Sequence, residues 1–569
     1  MKNIYGHIIC LAAAASLASC SFFDVTPQII ASETFYNTES EVKYGLAGVY
    51  GVIGKEQFYG NYYSLMYANV DDLCYFNRDV GTNFLQYNRH DATTIQIYDI
   101  WTALYQGIRN ANDFMEAVQK TKFDQDGKYY NEARFLRAYY HFILAQSWGD
   151  VPLRDKGVKT PDEVMLKGTP QFEVLTWAAS EMEACLEFAN EELTLQPSRV
   201  TKTTVQGILA RVYLFLAGSS VTGGDKTAFL TKARDYAKAV IESGKHKLNP
   251  EYSQVFINMI SDKYDTEYHE SMWEAEFLGD RSSADKWSNG RIGDLLGLQS
   301  GNSASKDFGK FNCNYAYGQY NGSLKLWDLY WQTDRTASEN AQPTITDKRQ
   351  AWNLPPYNYA GNDKQPPYGQ TSGKSVSGID RTPYVYKNVS TTTDQTVAAG
   401  MRNCGKFRRE VEYEGQKTAK NLYTTINYPI LRYSDILLMF AEASNELSGP
   451  SQEAYDCVLK VRDRAGIATK AFADYDKDSF RELVRNERGR ELCFESLRRF
   501  DLIRWGILVQ EMKTYATEMV GDPRWSENVT STRAATIGGS YTEKNVLLPI
   551  PSIELGVNKQ LSQNSLWAN

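Results

Sequence analysis

At 569 residues the chain is long enough for a large buried core and more than one domain. Its net charge of −7 and the absence of a basic cluster exclude nucleic acid as the main partner. Its 38 tyrosines, 11 tryptophans and 24 phenylalanines place part of this ring surface outside the core, because tyrosine and tryptophan need a polar partner at one end.

Met1 to Cys20 reads as a secretory signal: Lys2, an apolar run from Ile8 to Ala18, then Leu17-Ala18-Ser19-Cys20. The run is too short to span a bilayer. Its Leu-Ala-Ser-Cys ending is similar to a bacterial lipobox, which implies a signal peptide over 1–19 and a lipidated Cys20. Several acyl chains on that cysteine anchor stably, where one does not. Simple cleavage would leave Cys20 incidental, and the small residues before it favour lipidation. No later stretch is long and apolar enough to span, so the rest is expected to be soluble and tethered.

Val70 to Asp91 mixes Asp71, Asp72, Asn77, Arg78 and Asn88 with Tyr75, Phe76, Phe84 and Tyr87. Helical periodicity then predicts helices over Tyr98–Gln119, Tyr129–Trp148, Gln171–Asn190, Thr201–Gly218 and Asp225–Gly244. Alanines among large residues, such as Ala138, Ala145 and Ala210, allow close helix approach. The pairs recur at spacings loosely like tetratricopeptide repeats, although the strict repeat signature is absent. From about 252 to 425 the periodicity fails and Gly, Asn, Pro, Ser and Asp accumulate. So long an irregular stretch in a compact protein is usually functional. Thirteen aromatics fall between Phe311 and Tyr386, among them Tyr315, Tyr317, Tyr320, Trp327 and Trp331. A rigid ring can cover the apolar face of a sugar while Asn, Asp and Arg bond its hydroxyls; for any single ring, core filling is the commoner role. Helices return over Leu431–Leu447 and Gln452–Ala465.

Phe480 to Gly506 reads as one long helix with a tight exit. Its apolar line, Phe480, Leu483 and Val484, runs on into Glu487 and Glu491 before Phe494. Unpaired buried carboxylates cost several kcal/mol, so partners are expected close by. Glu487 has Arg490, Arg488 has Glu491, and Glu495 has Arg498 and Arg499 at helical spacing; Arg485 and Arg504 are further candidates. The alternative is a glycosidase pair, since carboxylates four apart on a helix approach the spacing that a retaining mechanism uses. Nearby arginines would lower the pKa that a general acid needs raised, which favours a structural network.

Other chemistry is absent. Gly369 to Ser375 is one residue short of a phosphate-binding loop and lacks strand–helix context. There is no GxSxG, HExxH or dinucleotide fingerprint. Cys74, Cys185, Cys313, Cys404, Cys457 and Cys493 form no CxxC pair, and His90, His141, His246 and His269 are far apart. Neither a metal site nor a cofactor is expected, and no catalytic residue is assigned.

A resemblance runs through nearly the whole chain. Asn486-Glu487-Arg488, Arg490-Glu491, Phe494-Glu495, Arg498-Arg499-Phe500-Asp501-Leu502 and Arg504-Trp505 look like the C-terminal signature of SusD/RagB proteins. Ala133-Arg134-Phe135-Leu136-Arg137-Ala138-Tyr139, Gly149-Asp150-Val151-Pro152-Leu153, Tyr428-Pro429-Ile430-Leu431-Arg432-Tyr433 and Leu548-Pro549-Ile550-Pro551 fit as well. Gly489 and Cys493 depart from the signature. The resemblance implies a single globular unit over 20–569 with a mainly α fold of tetratricopeptide-like helical pairs, the helical body lying at about 95–250 and 425–510. An irregular, loop-rich ligand half would occupy about 252–425 and 510–569. It implies a lipid-anchored outer-membrane protein at the cell surface that captures oligosaccharide or polysaccharide for a SusC-like TonB-dependent transporter, without catalysis. RagB-like members suggest peptide as alternative cargo. In such proteins loops placed like 70–91 and the loop-rich half form the glycan site. The residues expected to contact ligand are therefore Asp72, Arg78, Tyr87, Asn88, Trp287, Tyr315, Tyr317 and Tyr320.

Overall fold

The structure is a computed structural model that describes residues 35–79, 81, 84–193, 196–278, 288, 290–299, 316–330, 347–355, 357–359, 381–383, 403–409, 412, 422–521 and 529–568. The signal and anchor reading, including Cys20, lies outside these residues.

Helix α1 (Glu39–Tyr50) opens with a reciprocal cap between Thr38 and Glu41 and buries Val42, Leu46 and Val49. Two wide turns, Glu56–Gly60 and Tyr62–Ala68, lead to strand β1 (Cys74–Phe76). The first helical body follows as α2 (Ile95–Val118), α3 (Lys128–Trp148), α4 (Gln171–Cys185), α5 (Lys202–Ala217) and α6 (Lys226–Glu242), each packed on the next. These helices start where side-chain oxygens can take up free backbone N–H groups: Thr201 accepts from Thr204 N, and Asp225 from Thr227 N and Ala228 N. Helix α3 is central, buried from Phe135 through Trp148. It stops at Gly149, whose φ of 80° suits glycine and whose missing Cβ would lie 2.9 Å from Leu547 Cδ1.

The middle of the chain holds short pieces: α7 (Tyr252–Ile260), β2 (Ser271–Ala275), α8 (Ile292–Leu295), β3 (Tyr320–Gly322), α9 (Leu324–Tyr330), α10 (Lys348–Asn353), β4 (Tyr357–Tyr359) and β5 (Arg381–Pro383). Strand β6 (Tyr428–Arg432) returns the chain to helices α11 (Tyr433–Ser448), α12 (Gln452–Ala465), α13 (Lys477–Leu492) and α14 (Arg498–Arg504). Then come α15 (Leu508–Gly521), α16 (Val529–Gly539) and α17 (Ser552–Val557). The strands form two-stranded antiparallel ribbons, β1–β3, β2–β6 and β4–β5. The fold is mainly α, as expected.

Three expectations are corrected. Phe480–Gly506 is two helices: α13 ends at Leu492, and Phe494 and Ser496 take left-handed φ values of 65° and 60°. Tyr428 holds that break by donating to Phe494 O at 2.9 Å and pairing with Ser496 Oγ at 2.6 Å. The start of the expected Leu431–Leu447 helix is strand, with Arg432 paired to Ser271. The expected loop-rich segment 510–569 contains α15, α16 and α17, and α15 packs on α16.

A buried ion network surrounds α13, and most of its partners come from far along the chain. Arg349 reaches Glu487 at 2.7 Å, Glu491 at 2.9 Å and Asp347 at 2.8 Å. Arg432 reaches Glu270, Glu491 and Glu495 at 2.9, 3.0 and 2.7 Å. Arg464 joins Glu270 at 2.8 Å and Glu491 at 2.5 Å. Of the pairs expected at helical spacing, Glu487–Arg490 forms, at 2.9 Å. Arg488 instead takes Asp435 and Asp501, Glu495 takes Arg432 and Lys406, and Arg498 takes Asp72. The break after Leu492 carries Glu495 off the helix, so the spacing rule no longer applies there.

Candidate functional site

Two distant segments meet at the β1–β3 ribbon, with Tyr75 opposite Asn321 and Phe76 opposite Tyr320. Beyond it a cluster of amides fixes the turn. Asn77 Nδ2 donates to Gly318 O at 3.1 Å and Asn321 Oδ1 at 2.6 Å, and Asn403 Nδ2 donates to the same two oxygens at 3.0 and 2.7 Å. Gly318 has a φ of 53°, and a Cβ there would sit 2.7 Å from Gln299 N. The next residue outward, Tyr317, donates its N–H to Asp294 Oδ1 at 3.2 Å, and Arg291 grips the other oxygen of Asp294 at 2.5 Å.

Arg78 is half-buried and spans this corner. Its Nη2 donates to Tyr317 O at 2.6 Å and its Nη1 to Asn77 Oδ1. The Tyr87 hydroxyl donates to Arg78 O, and burial pushes that phenol up. Asn88, with a φ of 55°, puts Nδ2 3.5 Å from Ser540 Oγ, which itself donates to Tyr87 O at 3.2 Å. Of the expected ligand residues, the structure thus gathers Arg78, Tyr87, Asn88, Tyr317 and Tyr320 into one neighbourhood.

They are not equally available. Arg78 and Tyr317 keep part of their surface, whereas Tyr87 and Asn88 are buried. Tyr320 is wholly buried, its ring 5.5 Å from Phe76, and serves the core rather than a ligand. Asp72 is also corrected: it is 0 % exposed and points inward to Arg498 Nη2 at 2.8 Å and Lys325 Nζ at 2.7 Å. Burial works against its charge, and those two cations outweigh burial and hold its carboxyl well below the usual range. Trp287 and Tyr315 lie outside the described residues. The same surface also carries Asp79, Phe84 and Arg533, with Arg533 Nη2 bonded to Asp79 Oδ1 at 2.6 Å. Nothing in the sequence links Arg533 to Asp79, 454 positions away.

Glu487 and Glu491 have no route to a substrate, since both are 0 % exposed. Burial alone would raise the Glu491 carboxyl. Arg464, Arg432 and Arg349 more than reverse this and hold it well below the carboxylate range. Arg349, Arg490 and Arg462 lower Glu487 in the same way against its burial. A general acid needs the opposite shift. Among the described residues no group of His, Cys, Asp and Glu could hold a metal ion, and no helix is long and apolar enough to cross a membrane.

Residues 269–567 match the model of the SusD family, and residues 21–214 match a model described as starch-binding, associating with outer membrane. The first match covers over half of the chain, which therefore belongs to the SusD family. A SusD-like protein of Formosa agariphila, P25, is 25% identical over 97% of both chains. Among solved structures, a SusD homologue from Bacteroides thetaiotaomicron superposes with a TM-score of 0.77 at 24% identity, covering 94% of this chain and 98% of that one. A laminarin-binding SusD-like protein gives 0.64 at 19% identity, over 93% and 100%. A surface glycan-binding protein A from Bacteroides uniformis gives 0.63 at 20%, over 93% and 100%.

Proposed function

We propose that this protein is a lipid-anchored glycan-binding protein of the outer-membrane surface. It captures oligosaccharide and passes it to a SusC-like TonB-dependent transporter, by binding without chemistry. The observation that carries the reading is the Arg78–Tyr317 corner. There a half-buried guanidinium and a part-exposed tyrosine are fixed by amides on a short ribbon. A ring stacks on the apolar face of a sugar and the guanidinium bonds its hydroxyls. Such a preformed site loses little entropy on binding. Support comes from the family description, starch-binding and associating with outer membrane, and from the glycan and laminarin named for structural neighbours. The Leu-Ala-Ser-Cys ending at Cys20 supports the anchor.

The test is titration calorimetry of the purified protein against plant, host and microbial glycans. A ligand whose affinity falls at least tenfold in Tyr317→Ala, Trp287→Ala or Tyr315→Ala, with an unchanged melting temperature, supports the reading. Well-folded protein that binds no glycan but binds peptides would replace glycan with peptide as the cargo.

A further inference from the structure

A wide cleft in the helical body has no part in the Arg78–Tyr317 corner. It opens at the N-terminal end of α3, has a volume of about 570 Å³ and is open to solvent. Phe123, Phe135 and Phe188 line it, with Phe188 36% exposed at its mouth. Asn131 also lines it. This side chain is 6% exposed; its Nδ2 donates to Gly127 O at 2.8 Å, while its Oδ1 is buried with no hydrogen-bond partner. A buried acceptor left open costs about 1–3 kcal/mol, so a donor arriving there is favoured. Phe188 stands close by, since a Cβ on Gly127 would meet Asn131 Nδ2 at 3.3 Å and Phe188 Cδ1 at 3.4 Å.

The charged groups around the cleft are already matched. Lys128 lies 3.1 Å from Asp126 Oδ2, and Arg199 holds Glu132 with Nε at 3.0 Å. Glu39 takes Lys43 at 2.9 Å and the Tyr129 hydroxyl at 2.8 Å. Lys122 sits over the Phe123 ring, 5.4 Å from its centroid. Such a lining selects neither anion nor cation. It leaves open one acceptor at depth and aromatic walls, which suit a neutral molecule with a hydroxyl donor and an apolar face.

We propose that this cleft is a second carbohydrate site, in which a neutral pyranose ring lies against Phe188 and donates a hydroxyl to Asn131 Oδ1. The proposal rests on the glycan-capture reading and adds a second point of contact. The two sites share no lining residue. One chain long enough to engage both would gain affinity through effective concentration.

Saturation-transfer NMR with methyl glucoside, galactoside, mannoside and xyloside tests this, on the wild type, Tyr317→Ala, Phe188→Ala and the double variant. Ala189→Trp, which fills the cleft from its rim, guards against an indirect effect of the Phe188 change. The expected result is that each single variant keeps about half of the transfer and the double variant loses at least nine-tenths. Ala189→Trp should match Phe188→Ala, with melting temperatures unchanged. If Tyr317→Ala alone silences the signal and both cleft variants match the wild type, the second site is overturned and glycan capture stands. A wild type silent to every pyranoside, in a protein that also ignores the glycan panel, overturns both.

Discussion

Glu491→Gln separates a structural carboxylate from a catalytic one. The substitution keeps the side-chain shape and removes one charge shared by Arg349, Arg432 and Arg464 at 2.9, 3.0 and 2.5 Å. All three guanidinium groups are buried, with side chains no more than 4% exposed. The new amide would also turn two N–H donors toward groups that are themselves donors. Breaking a buried ion pair by removing one partner costs about 3–5 kcal/mol. With an unfolding entropy of about 2.1 cal/mol/K per residue, a chain of this length loses roughly 3 °C in Tm for such a change. Calorimetric melting at pH 7 measures it, beside turnover on aryl glycosides and polysaccharides. An unchanged Tm together with a turnover present in the wild type and lost in Glu491→Gln would refute the structural assignment and restore the glycosidase pair.

Asp72→Asn should cost about as much, because Arg498 and Lys325 lose their buried counter-charge, whereas Asp71→Asn should cost far less; denaturant melts compare the two. Asp71 is pushed up to about 7 by burial and then by Asp72, and it already accepts from Leu73 N and Cys74 N, which an asparagine oxygen can still do. Burial, then the charges of Glu276 and Asp262, raise Glu274 from 4.5 to about 7. The folded state therefore holds a proton that the unfolded state releases between these values, and stability falls as pH rises from 4.5 to 7. Glu274→Gln should raise stability at pH 8 by about 3 kcal/mol and leave it unchanged at pH 4, in denaturant melts at both pH values. Asp435 and Glu442 shift the other way, to about 2, because arginines outweigh their burial. Each contributes on the order of 2–3 kcal/mol above pH 5 that is lost as pH falls toward 2, visible as a steep acid limb in Tm against pH. Gly149→Ala should destabilise by more than 1 kcal/mol, since φ is 80° and Leu547 blocks the Cβ, and thermal melting reads this directly.

Helices long enough to repeat their apolar face were legible in the sequence. Gln452–Ala465 agrees at both ends because Ser451 caps its start and Gly466, at a φ of 76°, ends it. The break after Leu492 was not legible. Its residues read as continuous helix, and what holds Phe494 and Ser496 at positive φ is Tyr428, more than sixty positions earlier. Helix α16, Val-Thr-Ser-Thr-Arg-Ala-Ala-Thr-Ile-Gly-Gly, is rich in weak helix formers and forms on its packing against α15. Buried arginines and glutamates were foreseeable, but their pairing was not, because a sequence shows neighbours three and four apart and Arg498 finds Asp72 across 426 positions. The same blindness explains the site. Asp72 and Arg78 share one loop and look alike on paper, yet a distant arginine turns the first inward while the second keeps surface beside Tyr317.

The long-range pairs also decide what can be cut from this protein. The two family matches end and begin at 214 and 269, which invites expression of each piece alone. Asp72 belongs to the first piece and Arg498 to the second, Arg211 reaches Asp435 at 2.7 Å across the same gap, and Trp148 Nε1 donates to Pro549 O at 3.0 Å. Either piece by itself would carry charges whose neutralising groups were left on the other. The molecule is indivisible in this sense, and its halves are expected to recover a native state by complementation, as two chains mixed together, rather than singly.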